Sequence, residues 1–334
     1  MTVRPHTPYK RVAILAVLLT VAVSLLVLAF SWTSVTSSAK DIPLAISGPA
    51  AQVAAVSEAL DANGGNTFVL TTVDSRAEAV DLIENRTALG AVVLDGAPEV
   101  LTTSAGSPIV SQLLATVAAQ LGQQAGTDVA VTDVVPLADT DARGAGLSVA
   151  SFPLVVMGLL GGVLFSLIVA GTRQRLTGVV LYSIVSAFAV GGILQGMLQI
   201  LQGDFLINVA AIAVSTLGSA AFVLGLHSLL GQRGIPIGAI TLMFIANPIS
   251  AATQPAQFLV GPWGAIGQWF VPGASATLLR DLSYFPGAES LGFTWAVVSV
   301  WALAGIALTI VGGNFRKTHA VVDATPAGLE PVAA

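Results

Sequence analysis

Apolar runs, and the unequal gaps between them, constrain this chain more than any motif. One run fills residues 12–31, a long polar stretch follows to residue 150, and the remaining runs crowd into residues 152–312. A helix needs about 20 apolar residues to cross the ~30 Å hydrocarbon core of a bilayer. Runs near 12–31, 152–171, 177–201, 206–230, 235–252 and 291–312 are read as spans. Only 9% of the residues are charged and 54% are apolar, whereas a soluble domain carries roughly 25% charged residues. The expected fold is an α-helical integral membrane protein with six transmembrane helices. A small extracytoplasmic α/β domain, residues 32–150, is inserted between helices 1 and 2. Residues 1–11 form a cytoplasmic N-terminus, 151–312 a five-helix membrane domain, and 313–334 a disordered cytoplasmic tail.

Lysine and arginine are retained on the cytoplasmic side of a membrane. Arg4, Lys10 and Arg11 precede the first run, Arg173 and Arg175 follow the second, Arg233 follows the fourth, and Arg316 and Lys317 follow the last. These are alternate connections, so both termini are expected inside a plasma membrane and the polar stretch outside. The first run exceeds the 7–15-residue core of a signal peptide. It is read as a retained anchor, although Ser37-Ser38-Ala39 would suit a cleavage site. Ten arginines against three lysines, with abundant Ala, Val and Gly, suggest a GC-rich bacterial genome.

Residues 40–150 hold thirteen acidic and four basic residues, with no calcium-loop spacing among them. Strands are expected at Ile42 to Ile46, Phe68 to Val73, Ala91 to Leu94 and Val129 to Val135. Pro49 opens a helix with Val53, Val56 and Leu60 on one face. Ser75 and Glu78 form a capping box for a second helix that turns Val80 and Ile83 inward. Ser107-Pro108 opens a third, with Ile109, Leu113, Val117 and Leu121 on its apolar face. For Leu113 and Val117, packing on the sheet is expected over a ligand or second-protomer contact.

Much chemistry is excluded. The chain has no cysteine, and His6, His227 and His319 are scattered, so no metal site is expected. No lysine follows a glycine, which removes the phosphate-binding loop of an ATPase. Gly273-Ala274-Ser275-Ala276-Thr277 lacks the closing glycine of a nucleophile elbow. No enzyme activity, cofactor or nucleic-acid partner is expected.

Within the membrane half, Gly158 and Gly162, Gly192 and Gly196, and Ser215 and Ser219 have the four-residue spacing of closely packed helices. Polar groups at membrane depth need a partner or water. Gln195, Gln199, Asn208, Ser215 and Ser219 are therefore candidates for a translocation path, against the plainer reading as interhelical hydrogen bonds. Asn247-Pro248 should break span five. The short runs within 253–290 are too short to cross and are read as re-entrant or interfacial helices forming an outer lid. Trp263, Trp269, Tyr284 and Phe285 are aromatic-belt residues there.

Asn247-Pro248-Ile249-Ser250, Gly261-Pro262-Trp263, Pro272-Gly273, Leu278-Leu279-Arg280-Asp281 and Tyr284-Phe285 resemble the stretch before the final helix of type-2 ABC export permeases. Asp133 to Leu137 and the glycine-rich span after it are similar to the phage-infection-protein-like branch. The resemblance covers nearly the whole chain in layout. It implies a homodimer or heterodimer in the lipid bilayer, a separate ATP-binding subunit, and export of a hydrophobic, lipidic or drug-like substrate. Asn247, Pro248, Pro272, Gly273, Arg280 and Asp281 would then form an outer gate, and Arg173 and Arg175 would contact the ATPase. The family's amphipathic coupling helix has little room in the eleven residues before the first run. The alternative is a non-transporting surface membrane protein whose outer domain binds a protein or envelope component.

Overall fold

The structure, a computed structural model, describes residues 8–323, without the side chains of 63–64, 124–125 and 316–323. Arg4, Arg316 and Lys317, which weigh in the charge argument, lie outside the side chains described. The first helix, α1, is Tyr9–Thr36. The polar stretch then folds as β1 (Ile42–Ser47), α2 (Ala50–Gly64), β2 (Phe68–Thr72), α3 (Arg76–Glu84), β3 (Gly90–Val93), β4 (Glu99–Thr102), α4 (Pro108–Ala125) and β5 (Ala130–Asp133). The strands form one sheet in the order β2-β1-β3-β4-β5, parallel except for the antiparallel pair β3 and β4.

Alternation along the strands sends side chains to two covered faces. Ile42, Leu44, Ile46, Val92 and Val100 pack with Leu60 of α2 and with Val110 and Leu114 of α4. Ala45, Ala91, Val93 and Leu101 face Ala79 and Ile83 of α3. The Ser75 hydroxyl accepts from the Glu78 backbone N–H at 3.2 Å and caps α3 as the capping box predicts. Two expectations need correcting. On α4, Leu113, Val117 and Leu121 pack on the sheet as expected, but the face is centred on Val110 and Leu114 and leaves Ile109 half exposed, because a contiguous Ile109-Val110 and Leu113-Leu114 pattern fits either face. The strand β4 was not anticipated: four residues after Pro98 carry too short a pattern to register.

The membrane half comprises α5 (Ala145–Ile168), α6 (Thr172–Gly191, continued by a π-helical turn Gly192–Met197), α7 (Phe205–Leu230), α8 (Gly234–Ala239, continued by a π-helical stretch Ile240–Ala246), α9 (Trp263–Gly267), α10 (Val271–Tyr284) and α11 (Ser290–Asp323). Five stretches among the described residues are long and apolar enough to cross a membrane, Phe205–Ala246 counting as one. That stretch is bent back on itself. Gly231 has φ +68°, and beyond it Gly234 lies against Leu226 and Gly238 against Val223.

Several boundaries differ from expectation. The helix α5 starts at Ala145, before residue 152, because the Asp141 carboxylate accepts from the Ala145 and Gly146 N–H groups at 3.0 and 2.9 Å. The run expected to reach residue 201 stops near Met197, and Gln199 takes a left-handed φ of +52°. The final helix continues to Asp323, through the first part of the expected tail, since nothing in 313–323 breaks a helix. Residues 324–334 lie outside those described.

The helix α7 is the hub, packed against α5, α6, α8, α10 and α11. A Cβ at Gly158 would lie 2.5 Å from Ser219 Cβ, and one at Gly162 would lie 2.7 Å from Ala220 O. Those glycines let α5 approach α7 closely, where packing takes the place of the hydrophobic effect. Gly192 and Gly196 meet nothing within 4 Å, so the second glycine pair packs no helix of this chain. No residue of α1 is buried, and its main packing is against the 240–246 stretch.

Candidate functional site

The last turn of α3 ends at Asn85, and Arg86 follows with φ +60°. That conformation swings Arg86 out of the α/β domain toward α10. Its guanidinium pairs with the Asp281 carboxylate and lies 5.6 Å from the Phe285 ring centroid. Asp281 is fully buried, and its second oxygen accepts from the Ser290 hydroxyl at 2.6 Å. Removing a carboxylate this far from water requires such paired and hydrogen-bonded surroundings.

Arg280, one residue earlier on α10, bonds to no carboxylate among the described residues, although Asp281 and Asp141 act on it through space. It donates to the Gly106 and Ala105 carbonyls at 3.1 and 3.4 Å and to Ala252 O at 3.5 Å. Burial, with the nearby Arg86 charge, pushes its pKa down to about 10 while Asp281 opposes the shift. It therefore keeps its charge at neutral pH. Phe258 adds an apolar attachment between the halves by entering the sheet core beside Leu44 and Leu114.

Between these attachments lies a cavity of about 280 Å³. Its walls include Arg86 and Arg280, the amides Gln254, Gln257 and Gln268, and the first turn of α11 at Ser290, Phe293 and Thr294. No aspartate or glutamate lines it. Gln268 is held at both ends, accepting from the Thr277 hydroxyl at 2.7 Å and donating to Ser250 O at 3.0 Å. A second cavity of about 330 Å³, between α1, α5 and residues 247–254, shares Ala251, Ala252 and Gln254 with the first. Farther along α1 an apolar groove of about 670 Å³ runs between Leu25, Leu28 and Trp32 on one side and Ile240, Phe244 and Ile245 on the other.

The residues expected to act together are divided among these features. Of the outer-gate set, Asn247 and Pro248 line the second cavity and Arg280 the first, with Asp281 behind it. Pro272 instead faces a void of about 10 Å³ together with Ser215 and Ser219, room for about one water. Gly273 packs on the Gly267 carbonyl. Of the path set, Gln195 and Asn208 bond to each other: Asn208 Nδ2 donates to Gln195 Oε1 at 2.9 Å and to Gln202 O at 2.7 Å, while the buried Asn208 Oδ1 and Ser215 Oγ have no partner among the described residues. Gln195 Nε2 donates to Gly203 O at 2.8 Å, closing the turn before α7. Gln199 is exposed, and its carbonyl accepts from Thr140 at 3.0 Å.

Arg173 is exposed, whereas Arg175 donates to Val169 O and Ser166 O at 2.6 and 3.0 Å and closes the end of α5. The aromatic belt is also divided. Trp263 and Trp269 are exposed, but Phe285 is fully buried beneath Arg86, and the Tyr284 hydroxyl donates to Ile200 O at 3.2 Å. Sequence reasoning missed Arg86, Gln254, Gln268 and Phe258. The available signal was Arg86, one of four basic residues in an acidic domain and set in a turn. No family model, curated protein or solved structure matches this chain.

Proposed function

We propose that the chain is the permease subunit of an export system in a plasma membrane, moving a hydrophobic, lipidic or drug-like substrate with energy from a separate ATPase. In this reading α8 and its π-helical continuation count as a sixth span, both termini are cytoplasmic, and the α/β domain is outside. One observation supports it: an apolar groove lies beside α1, and toward the end of that helix a cavity at Asn247 and Pro248 shares Ala251, Ala252 and Gln254 with the cavity at Arg280. A greasy molecule leaving the bilayer core along α1 would meet polar walls only near the outer domain. Broken backbone at membrane depth is tolerated where protein covers it or a wet cavity lies beside it, and residues 247–270 meet that condition. The exposed Arg173 is the contact for an ATPase.

The alternative is a non-transporting surface membrane protein whose outer domain binds a protein or envelope component. It is favoured by the closure of Gln195 on Asn208 and by the water-sized void at Ser215 and Ser219, which leave no wide passage along α7. Purification with its bound proteins separates the two. An ATPase that co-purifies with the wild type and is lost on Arg173→Glu supports the permease. If no ATPase associates, and deleting residues 40–150 alone abolishes the cellular phenotype, the export reading fails.

A further inference from the structure

The cavity between the α/β domain and the membrane helices has a charge asymmetry that its structural role does not explain. A buried cation is normally paired with an anion, because removing it from water is costly. Arg86 has Asp281. Arg280 has only backbone carbonyls at 3.1–3.5 Å, at the long edge of hydrogen bonding. The wall it shares adds glutamine amides and hydroxyls but no carboxylate. Asp281 is taken by Arg86 and Asp141 acts on Arg280 only through space, so the Arg280 guanidinium faces about 280 Å³ of space with no carboxylate bonded to it.

We infer that this cavity binds a phosphate- or carboxylate-bearing anionic group, the headgroup of an acidic amphiphile, with Arg280 as its principal ligand and Gln254 and Gln257 as supporting donors. A guanidinium offers two parallel N–H groups to such an oxyanion. The volume suits a headgroup rather than a whole lipid, since sites for drug-sized ligands span about 300–1,000 Å³. Its position suits the bilayer interface: its wall includes Phe293 of the first turn of α11, which packs edge-on against the exposed Trp269 at 5.0 Å. Space for the chain of the amphiphile adjoins it, because the neighbouring cavity between α1 and α5 shares Ala251, Ala252 and Gln254. Binding does not depend on the export proposal, since a protein can hold such a lipid without moving it.

The test is binding to the full chain in detergent micelles, followed by native mass spectrometry and by tryptophan fluorescence. The probes are phosphatidic acid, phosphatidylglycerol, phosphatidylcholine and inorganic phosphate. The informative variants are Gln254→Glu and Gln257→Glu, isosteric changes that place a carboxylate in the wall of the cavity that Arg280 lines, without touching the Arg86–Asp281 pair or the carbonyl bonds of Arg280. Wild type should retain the acidic lipids in preference to phosphatidylcholine, and either variant should weaken that binding about ten- to a hundredfold, the worth of a charge-assisted hydrogen bond. Arg280→Lys should keep the charge but lose the paired donors, giving an intermediate affinity. Inorganic phosphate that competes with the lipids, and is itself lost in Gln254→Glu, identifies a free anion as the occupant; failure to compete identifies the lipid. Equal retention of acidic and zwitterionic lipids with no phosphate binding, or affinities unchanged in both glutamate variants, overturns the assignment. Either result leaves ATPase association untouched, so the two proposals fail separately.

Discussion

Arg86 and Asp281 form an ion pair although 195 residues separate them, and that pair fastens the α/β domain to the membrane helices. Asp281 has no exposure at all, and the Arg86 side chain retains about a fifth of its own. Removing one partner of such a pair leaves an uncompensated buried charge and costs about 3–5 kcal/mol. Asp281→Ala should therefore lower Tm sharply in detergent and expose the α/β domain to protease. The double variant Arg86→Met/Asp281→Leu should be more stable than Asp281→Ala, because neither charge is then stranded. Equal stability of wild type and Asp281→Ala would sink this account.

The two glycine pairs should respond differently to the same change. Alanine at Gly158 or Gly162 pushes a methyl group against Ser219 or Ala220 of α7 and should cost about 1–3 kcal/mol. Alanine at Gly192 or Gly196 meets open space and should leave the thermal unfolding of the monomer unchanged. A loss at Gly192→Ala matching that at Gly162→Ala would mean that a partner chain packs there.

Acid should weaken the α/β domain through Glu99. The Arg76 guanidinium, bonded to it at 2.7 Å, holds its carboxyl below the ordinary carboxylate value, with help from the Thr132 hydroxyl and against a smaller effect of burial. The folded group holds its proton less tightly than the unfolded one, so the pair stabilises above the unfolded carboxylate value of about 4.3 and fades as pH falls through the lowered folded value. The Tm gap between wild type and Glu99→Gln should be widest near neutral pH and close on acidification. A gap that widens in acid would contradict the assignment.

Arg173 and Arg175, two residues apart, should separate by function. Arg175→Ala removes the donors that close the end of α5 and should cost about 1–3 kcal/mol. Arg173→Ala should leave Tm unchanged. Comparable losses in both would show that Arg173 also supports the fold.

The topology can be read directly, because the chain contains no cysteine. In intact cells, Asp204→Cys should react with an impermeant maleimide from outside, and Gln232→Cys should react only after the membrane is opened. The reverse pattern would invert every connection between the spans.

Some of this architecture was legible in the sequence because it rests on local pattern. Long apolar runs, Ser75 with Glu78, Ser107-Pro108 and the break at Asn247-Pro248 all act within a few residues, and each appears where its chemistry predicts. Helix faces were less legible. On α4, Leu113, Val117 and Leu121 face the sheet as expected, but only the sheet beneath centres the buried face on Val110 and Leu114 and leaves Ile109 out. The residues expected to form one outer gate lie in separate surroundings, with Asn247 and Pro248 at one cavity, Arg280 at another and Pro272 at a small void. Arg280 and Asp281 look like a neighbouring ion pair, yet a helix points successive side chains about 100° apart, and each finds its contacts in the α/β domain or beside it.

By itself, then, the sequence determined that this chain carries membrane-spanning helices with a sheet-forming domain after the first, since burial of apolar length and backbone hydrogen bonding in lipid admit little else. Tertiary structure alone decided that Arg86 neutralises Asp281, that Arg280 is left facing a cavity free of carboxylates, and that α1 stands apart with a groove at its side. Those outcomes depend on contacts between segments far apart in the chain. Charge neutralisation and close packing choose among such contacts only once the helices and the sheet have come together.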